Sequence, residues 1–148
     1  MSYTSVEAAA ITVLQLHADY STANVSAGDY RILAKGLVKY VVFQPGSILD
    51  RGTSQASRRM RTLWEINLEL FLPFTDEIST IASEIRAERS VVIDHMDAYP
   101  TLNGATGVIM ASMTGGSPPQ DWRGESRRWW KQSFRLEVEE RQTIAIAE

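Results

Sequence analysis

Between Leu63 and Pro73 the chain alternates. Trp64, Ile66, Leu68, Leu70 and Leu72 are separated by Glu65, Asn67 and Glu69. A period of two is that of a half-buried β-strand, and a proline, which cannot donate to a ladder, ends it. A similar run follows Arg128. Trp130, Phe134, Leu136 and Val138 alternate with Lys131, Ser133, Arg135, Glu137 and Glu139, which predicts a strand with one wet face. Two shorter runs read as strands at 37–43 and 108–114. Val41, Val42 and Phe43 lie before Pro45-Gly46, while the second run sits between Asn103-Gly104 and Gly115-Gly116.

Two segments have helical spacing instead. Val6, Ala10, Val13 and Leu14 form one apolar stripe, and Thr4 with Glu7 matches a capping box at its start. Ile78, Ile81, Ala82, Ile85, Val92 and Met96 form another, capped by Thr75 and followed by Pro100. Asp76 and Glu77 lie in its first turn, where the helix dipole favours negative charge. Continuous over 76–98, this helix would be about 34 Å long, although the β-branched run at 90–93 leaves an interruption open. The stretch 19–28 reads as a loop.

The expected architecture is therefore α+β, in the order α-β-β-α-β-β. A four-stranded, mostly antiparallel sheet carries two helices on one face and two long projecting loops, at 44–62 and 115–128. The strands' polar sides would form the opposite face. A chain of 148 residues is expected to form a single domain, burying roughly two-thirds of its unfolded surface.

Composition narrows the function classes. Hydrophobic residues make up 44 % and charged residues 22 %, an ordinary globular balance, and the net charge of -3 implies no dedicated nucleic-acid surface. Without cysteine there is no disulfide scaffold, thiolate metal site or cysteine nucleophile. No apolar run reaches the roughly 20 residues of a membrane span, and the first residues lack the basic opening of a signal peptide. A soluble, cytosolic product without membrane contact is expected.

Catalytic patterns are not found. No serine lies in a Gly-x-Ser-x-Gly elbow, and there is neither a phosphate loop nor a dinucleotide fingerprint. Gly104 with Gly107, and Gly115-Gly116, read as turns around a strand. Glu139 and Glu140 fall on opposite faces of a strand and cannot cooperate as acid and base. Asp94, His95 and Asp97 suggest a divalent metal site, but on a helix His95 diverges from the two aspartates. His17 is read as an interaction with the C-terminal end of the first helix. The chain is expected to be non-enzymatic, with no cofactor.

Two basic clusters remain: Arg58, Arg59 and Arg61 after the first long loop, and Arg123, Arg127, Arg128 and Lys131 around the second. With Trp122, Trp129 and Trp130 beside it, the second has the ingredients of a nucleic-acid stacking platform. Arginine and tryptophan are equally the residues of protein–protein hot spots, and the acidic balance favours protein contact. The candidate partner-binding residues are Arg51, Arg58, Arg59, Arg61, Trp122, Arg123, Arg127 and Arg128.

Three segments taken in order carry a resemblance: 63–73 (LWEINLELFLP), 92–104 (VIDHMDAYPTLNG) and 129–138 (WWKQSFRLEV). With a helix in front and an arginine-bearing loop after the first strand, the chain resembles the tail terminator proteins of long-tailed bacteriophages. These are also called tail completion or head–tail joining proteins. The likeness spans about residues 4–142 and is one of layout, without a sharp signature. It implies a homo-oligomeric cyclic ring, typically a hexamer, that caps the tail tube and stops its polymerisation. The ring's partners would be the tail tube protein and the head connector or stopper protein, with passing contact to DNA in its lumen. The implied location is the virion neck, after assembly in the host cytoplasm. Other head–tail connectors and tail tube subunits share this size and layout, and a nucleic-acid-binding module is the further alternative.

Overall fold

The structure is a computed structural model that describes residues 3–21, 24–28, 39–54, 59–73, 78–123 and 128–143. Among these, the elements are α1 (Tyr3–Gln15), β1 (Val25–Ala27), β2 (Tyr40–Ser54), β3 (Arg59–Pro73), α2 (Ile78–Asp97), β4 (Val108–Gly116), β5 (Gln120–Arg123) and β6 (Arg128–Thr143). The strands form one mixed sheet of six in the order β1-β2-β3-β6-β4, with β5 also on β6. Only β1–β2 is parallel. The α+β class stands.

β3 and β6 are the spine of the sheet. They pair without a break from Arg59↔Thr143 to Pro73↔Trp129. At about 3.3 Å per residue this is a ribbon about 45 Å long. The alternation in the sequence decides which side is covered. Ile66, Leu68 and Leu70 of β3 and Phe134, Leu136 and Val138 of β6 face the helices, packing with Val6, Ala10, Val13 and Leu14 of α1 and Val92 and Met96 of α2. Fully burying each such aliphatic side chain is worth roughly 1.5–3 kcal/mol. Near the end of the ribbon that carries Pro73, Leu72, Ile85 and Trp130 form a smaller cluster.

The opposite face has two characters. In its middle, Glu65 and Glu69 of β3 meet Arg135 (3.7 Å) and Lys131 (3.8 Å) of β6, so these charges pair within the chain. At the Pro73 end the face is apolar instead. Tyr40, Val42, Phe71 and Trp129 are buried there as a second core, with Trp122 against it.

Four expectations need correction. The sheet has six strands, not four, because a three-residue strand lies within the stretch read as a loop at 19–28 and because the last edge strand is split. The long loop expected at 44–62 is mostly strand. Pro45-Gly46 does not end β2 but sits in a bulge, where Gln44 pairs with Asn67 and Ser47 with Glu65. Phe43 O faces β1 and Pro45 stands two residues further along the same edge, where a missing N–H costs the sheet no ladder bond. The loop expected at 115–128 likewise contains β5, which continues β4 along β6 after a break at 117–119. Ser117 stitches the break: its N–H donates to Ser133 O (3.0 Å), its hydroxyl accepts from Ser133 N–H (3.3 Å) and its carbonyl accepts from Gln132 Nε2 (3.1 Å). Finally, the observed order is α-β-β-β-α-β-β-β. Helix α2 runs unbroken through 90–93. Thr75, Asp76 and Glu77, and the strand expected at 37–38, lie outside the described residues.

Candidate interaction surfaces

The two arginine clusters fall at opposite ends of the ribbon. Arg59 and Arg61 open β3 and Arg51 lies beside them on β2, whereas Trp122, Arg123 and Arg128 flank the far end beside Pro73. Arg58 and Arg127 lie outside the described residues.

At the first pole the side chains are partly committed. Arg61 Nε donates to Glu139 (2.6 Å) and its Nη1 to Asp50 (3.2 Å), and Arg141 reaches the same Glu139 oxygen (3.3 Å). The bond from Arg61 holds Glu139 below the usual carboxylate range and raises the guanidinium in turn. Arg51 Nε lies 3.0 Å from Met60 Sδ, while Arg59 is exposed.

At the second pole Arg128 pairs with Asp121, whose carboxyl is lowered chiefly by that hydrogen bond. Trp122 is not a free stacking platform. Its ring meets Phe71 edge-on at 5.0 Å and it packs on the second core. Arg123 is exposed. The sequence missed that Trp129, rather than Trp130, is the deeply buried tryptophan. Trp129 faces Tyr40 at 5.6 Å, on the side of the sheet expected to be polar.

The histidines meet, though not around an ion. His95 Nε2 donates to Val13 O in the last turn of α1 (2.7 Å), so the helix-end interaction expected of His17 is made by His95 from the other helix. His17 stands edge-on to His95 at 5.1 Å, and its Nδ1 accepts from Asp19 N–H (3.1 Å). Asp97, the other proposed ligand, turns to the sheet edge and accepts from Met113 N–H (3.4 Å), while Asp94 is exposed. No group of three metal-ligating side chains converges among the described residues.

A polar network ties the loop after α1 to β2 and α2. Tyr20 O–H donates to Glu88 (3.0 Å), and Lys39 Nζ donates to Glu88 (2.8 Å) and Asp19 (3.0 Å). Burial first, then the Glu88 charge, pushes the Tyr20 phenol far above its ordinary range. Burial works to lower Lys39, but its bonds to Glu88 and Asp19 outweigh this and leave it raised. The bond from Lys39 and its charge lower Asp19. The network fixes the position of α1 and α2 over the sheet.

Fold and surfaces together define an α+β domain with a long two-ended ribbon as its frame. No protein-family model matches the chain, and no curated protein matches it. Among solved structures, a chain from the virion of a native gene transfer agent particle superposes with a TM-score of 0.47 at 16 % identity, covering 93 % of this chain and 99 % of that one. A second solved chain gives a TM-score of 0.41 at 17 % identity, covering 100 % and 99 %. No described helix is long and apolar enough to cross a membrane.

Proposed function

We propose that this protein is a structural subunit of a phage particle. Its copies form a ring at the neck that caps the tail tube, stops its growth and joins the tail to the head connector. One observation carries the reading: the two arginine-bearing poles stand at opposite ends of a rigid ribbon whose length is fixed by the unbroken β3–β6 ladder. A subunit that must touch one partner below and another above needs two separated contact regions on one stiff frame, and hairpin ends held by a sheet supply them. Arg51, Arg59 and Arg61 would serve one partner, and Arg123 and Arg128 the other. No residue of the chain is assigned a catalytic role, and no cofactor is invoked.

Light scattering on the purified chain tests the first requirement, since a ring has a mass of several subunits. Labelled particles seen by electron microscopy test the second. A chain that stays monomeric at tens of micromolar and never localises to the head-proximal end of a tail removes the reading. The same frame would suit another connector or a tube subunit, and the position of the label along the particle separates these. The nucleic-acid alternative is weakened by the engagement of Arg61 and Arg128 with carboxylates. Retention on immobilised DNA that falls steeply with salt would revive it.

A further inference from the structure

The exposed apolar side chains are grouped. Of five large hydrophobic side chains exposed among the described residues, four form two adjacent couples: Ile48 (48 %) with Leu49 (44 %), and Ile109 (47 %) with Met110 (53 %). A single exposed aliphatic residue is ordinary, but paired ones on a strand edge are a liability unless something covers them. The first couple lies on β2 beyond Phe43, where the pairing with β1 has ended. The second opens β4, on the opposite edge of the sheet. Each couple sits at an irregularity, with register shifts between Ile48 and Asp50 and between Val108 and Met110. Leu49 and Ile109 are the extra residues, turned out of the ladder.

The rungs put both couples at one level. Ile48 pairs with Trp64, Trp64 with Val138 and Val138 with Ala111; Asp50 pairs with Leu63, Leu63 with Glu139 and Glu139 with Met110. Three antiparallel steps separate β2 from β4, so the two edges run in opposite directions. Set two copies side by side with their helices on the same side. Then β2 of one runs antiparallel to β4 of the other, with the apolar couples at matching height.

We propose that copies of this chain associate head to tail through these edges, with Ile48 and Leu49 of one copy packing on Ile109 and Met110 of the next. This rests on the ring reading above and names the surface that closes the ring. A head-to-tail contact covers both couples on every copy, whereas a twofold contact of either edge with itself leaves the other couple wet. Side chains make the contact rather than a continued ladder. On β4 the Ala111 N–H is already bonded to Pro100 O (2.6 Å) and the Met113 N–H to Asp97. That cover keeps the edge from pairing with any passing strand.

The chain contains no cysteine, so introduced thiols report without interference. Under mild oxidation, the double variant Leu49→Cys/Met110→Cys is expected to give a ladder of linked species ending in one closed form. Each single variant alone stays unlinked, and the two singles mixed give dimers only. A short bis-maleimide reads the same contact if the thiols meet at an angle unfit for a disulfide. Leu49→Asp, checked for folding by circular dichroism, is expected to weaken association at least about tenfold, the loss of one apolar anchor. A wild-type multimer with no linkage in the double variant, or self-linkage of a single variant, overturns the edge assignment and leaves the ring standing. A wild-type chain monomeric at tens of micromolar overturns the edge assignment, and together with no localisation to the head-proximal end of a tail it overturns the ring reading as well.

Discussion

Gly46 shows how much a single position can decide. A Cβ there would lie 1.6 Å from Glu65 O and 2.6 Å from its carbonyl carbon, so the bulge in β2 closes on β3 only because the side chain is missing. Gly46→Ala is expected to lower stability by about 2–3 kcal/mol through forced backbone movement, read as a lower urea midpoint at unchanged slope. Tyr20 sets a pH limit. Its phenol is raised in the folded state, so its contribution is complete below the unfolded value near 10 and is lost as pH climbs above it. Lys39, also raised, acts in the same direction. Urea melts between pH 8 and 11 are expected to show stability falling above pH 10, with a shallower fall in Tyr20→Phe. The depressed carboxyls of Asp19, Asp121 and Glu139 act at the other limit. Their contributions hold above about pH 4 and fade as acid protonates them.

For the elements, the central pair and the edges obey different physics. Ile66 in β3 is fully buried between the helices and the sheet, and Ile66→Ala is expected to cost about 2–5 kcal/mol by calorimetry or urea melt. The β4 edge depends on the turn after α2. Leu102 and Asn103 both take left-handed backbone conformations there, with φ of 50° and 57°. The turn holds Pro100 O on Ala111 N–H, and Leu102 is buried in the main core, which offsets the strain. Asp97→Ala frees the Met113 N–H. Hydrogen exchange at that amide is expected to speed up by about tenfold, equivalent to about one ordinary hydrogen bond, while the amides of β3 stay protected.

At the scale of the whole molecule, the ribbon converts local alternation into spatial separation of its surface groups. Its two ends carry arginines about 45 Å apart, its helix face is committed to the main core, and its edges carry the apolar couples. On the proposed ring reading, substituting Arg59 together with Arg61 is expected to impair one docking event, and Arg123 with Arg128 the other. Ring mass by light scattering should stay unchanged in both. Loss of the ring in either variant would mean that the poles, not the edges, hold copies together.

Much of the frame was legible in the chain. The alternation of 64–72 and 130–138 determined the spine and its buried side, and the stripes through Val13 and Met96 determined the helices, because periodicity reports which side chains leave water. The arginine clusters were visible too, as residue types near turns. What the sequence could not convey was which breakers break. Pro45-Gly46 looks like a strand end, yet it lies along a sheet edge, where a proline disturbs no ladder and a bulge absorbs the extra residue; Pro118-Pro119 does interrupt its edge, but the pairing with β6 resumes at β5. Nor could it place Trp129, Tyr40 and Phe71 together, since their shared face depends on the register of three strands. Ion pairing of Arg61 and Arg128, and the equal height of Ile48 and Met110, likewise exist only once the strands are aligned. Periodicity is a local property, whereas edges, register and pairing belong to the assembled sheet.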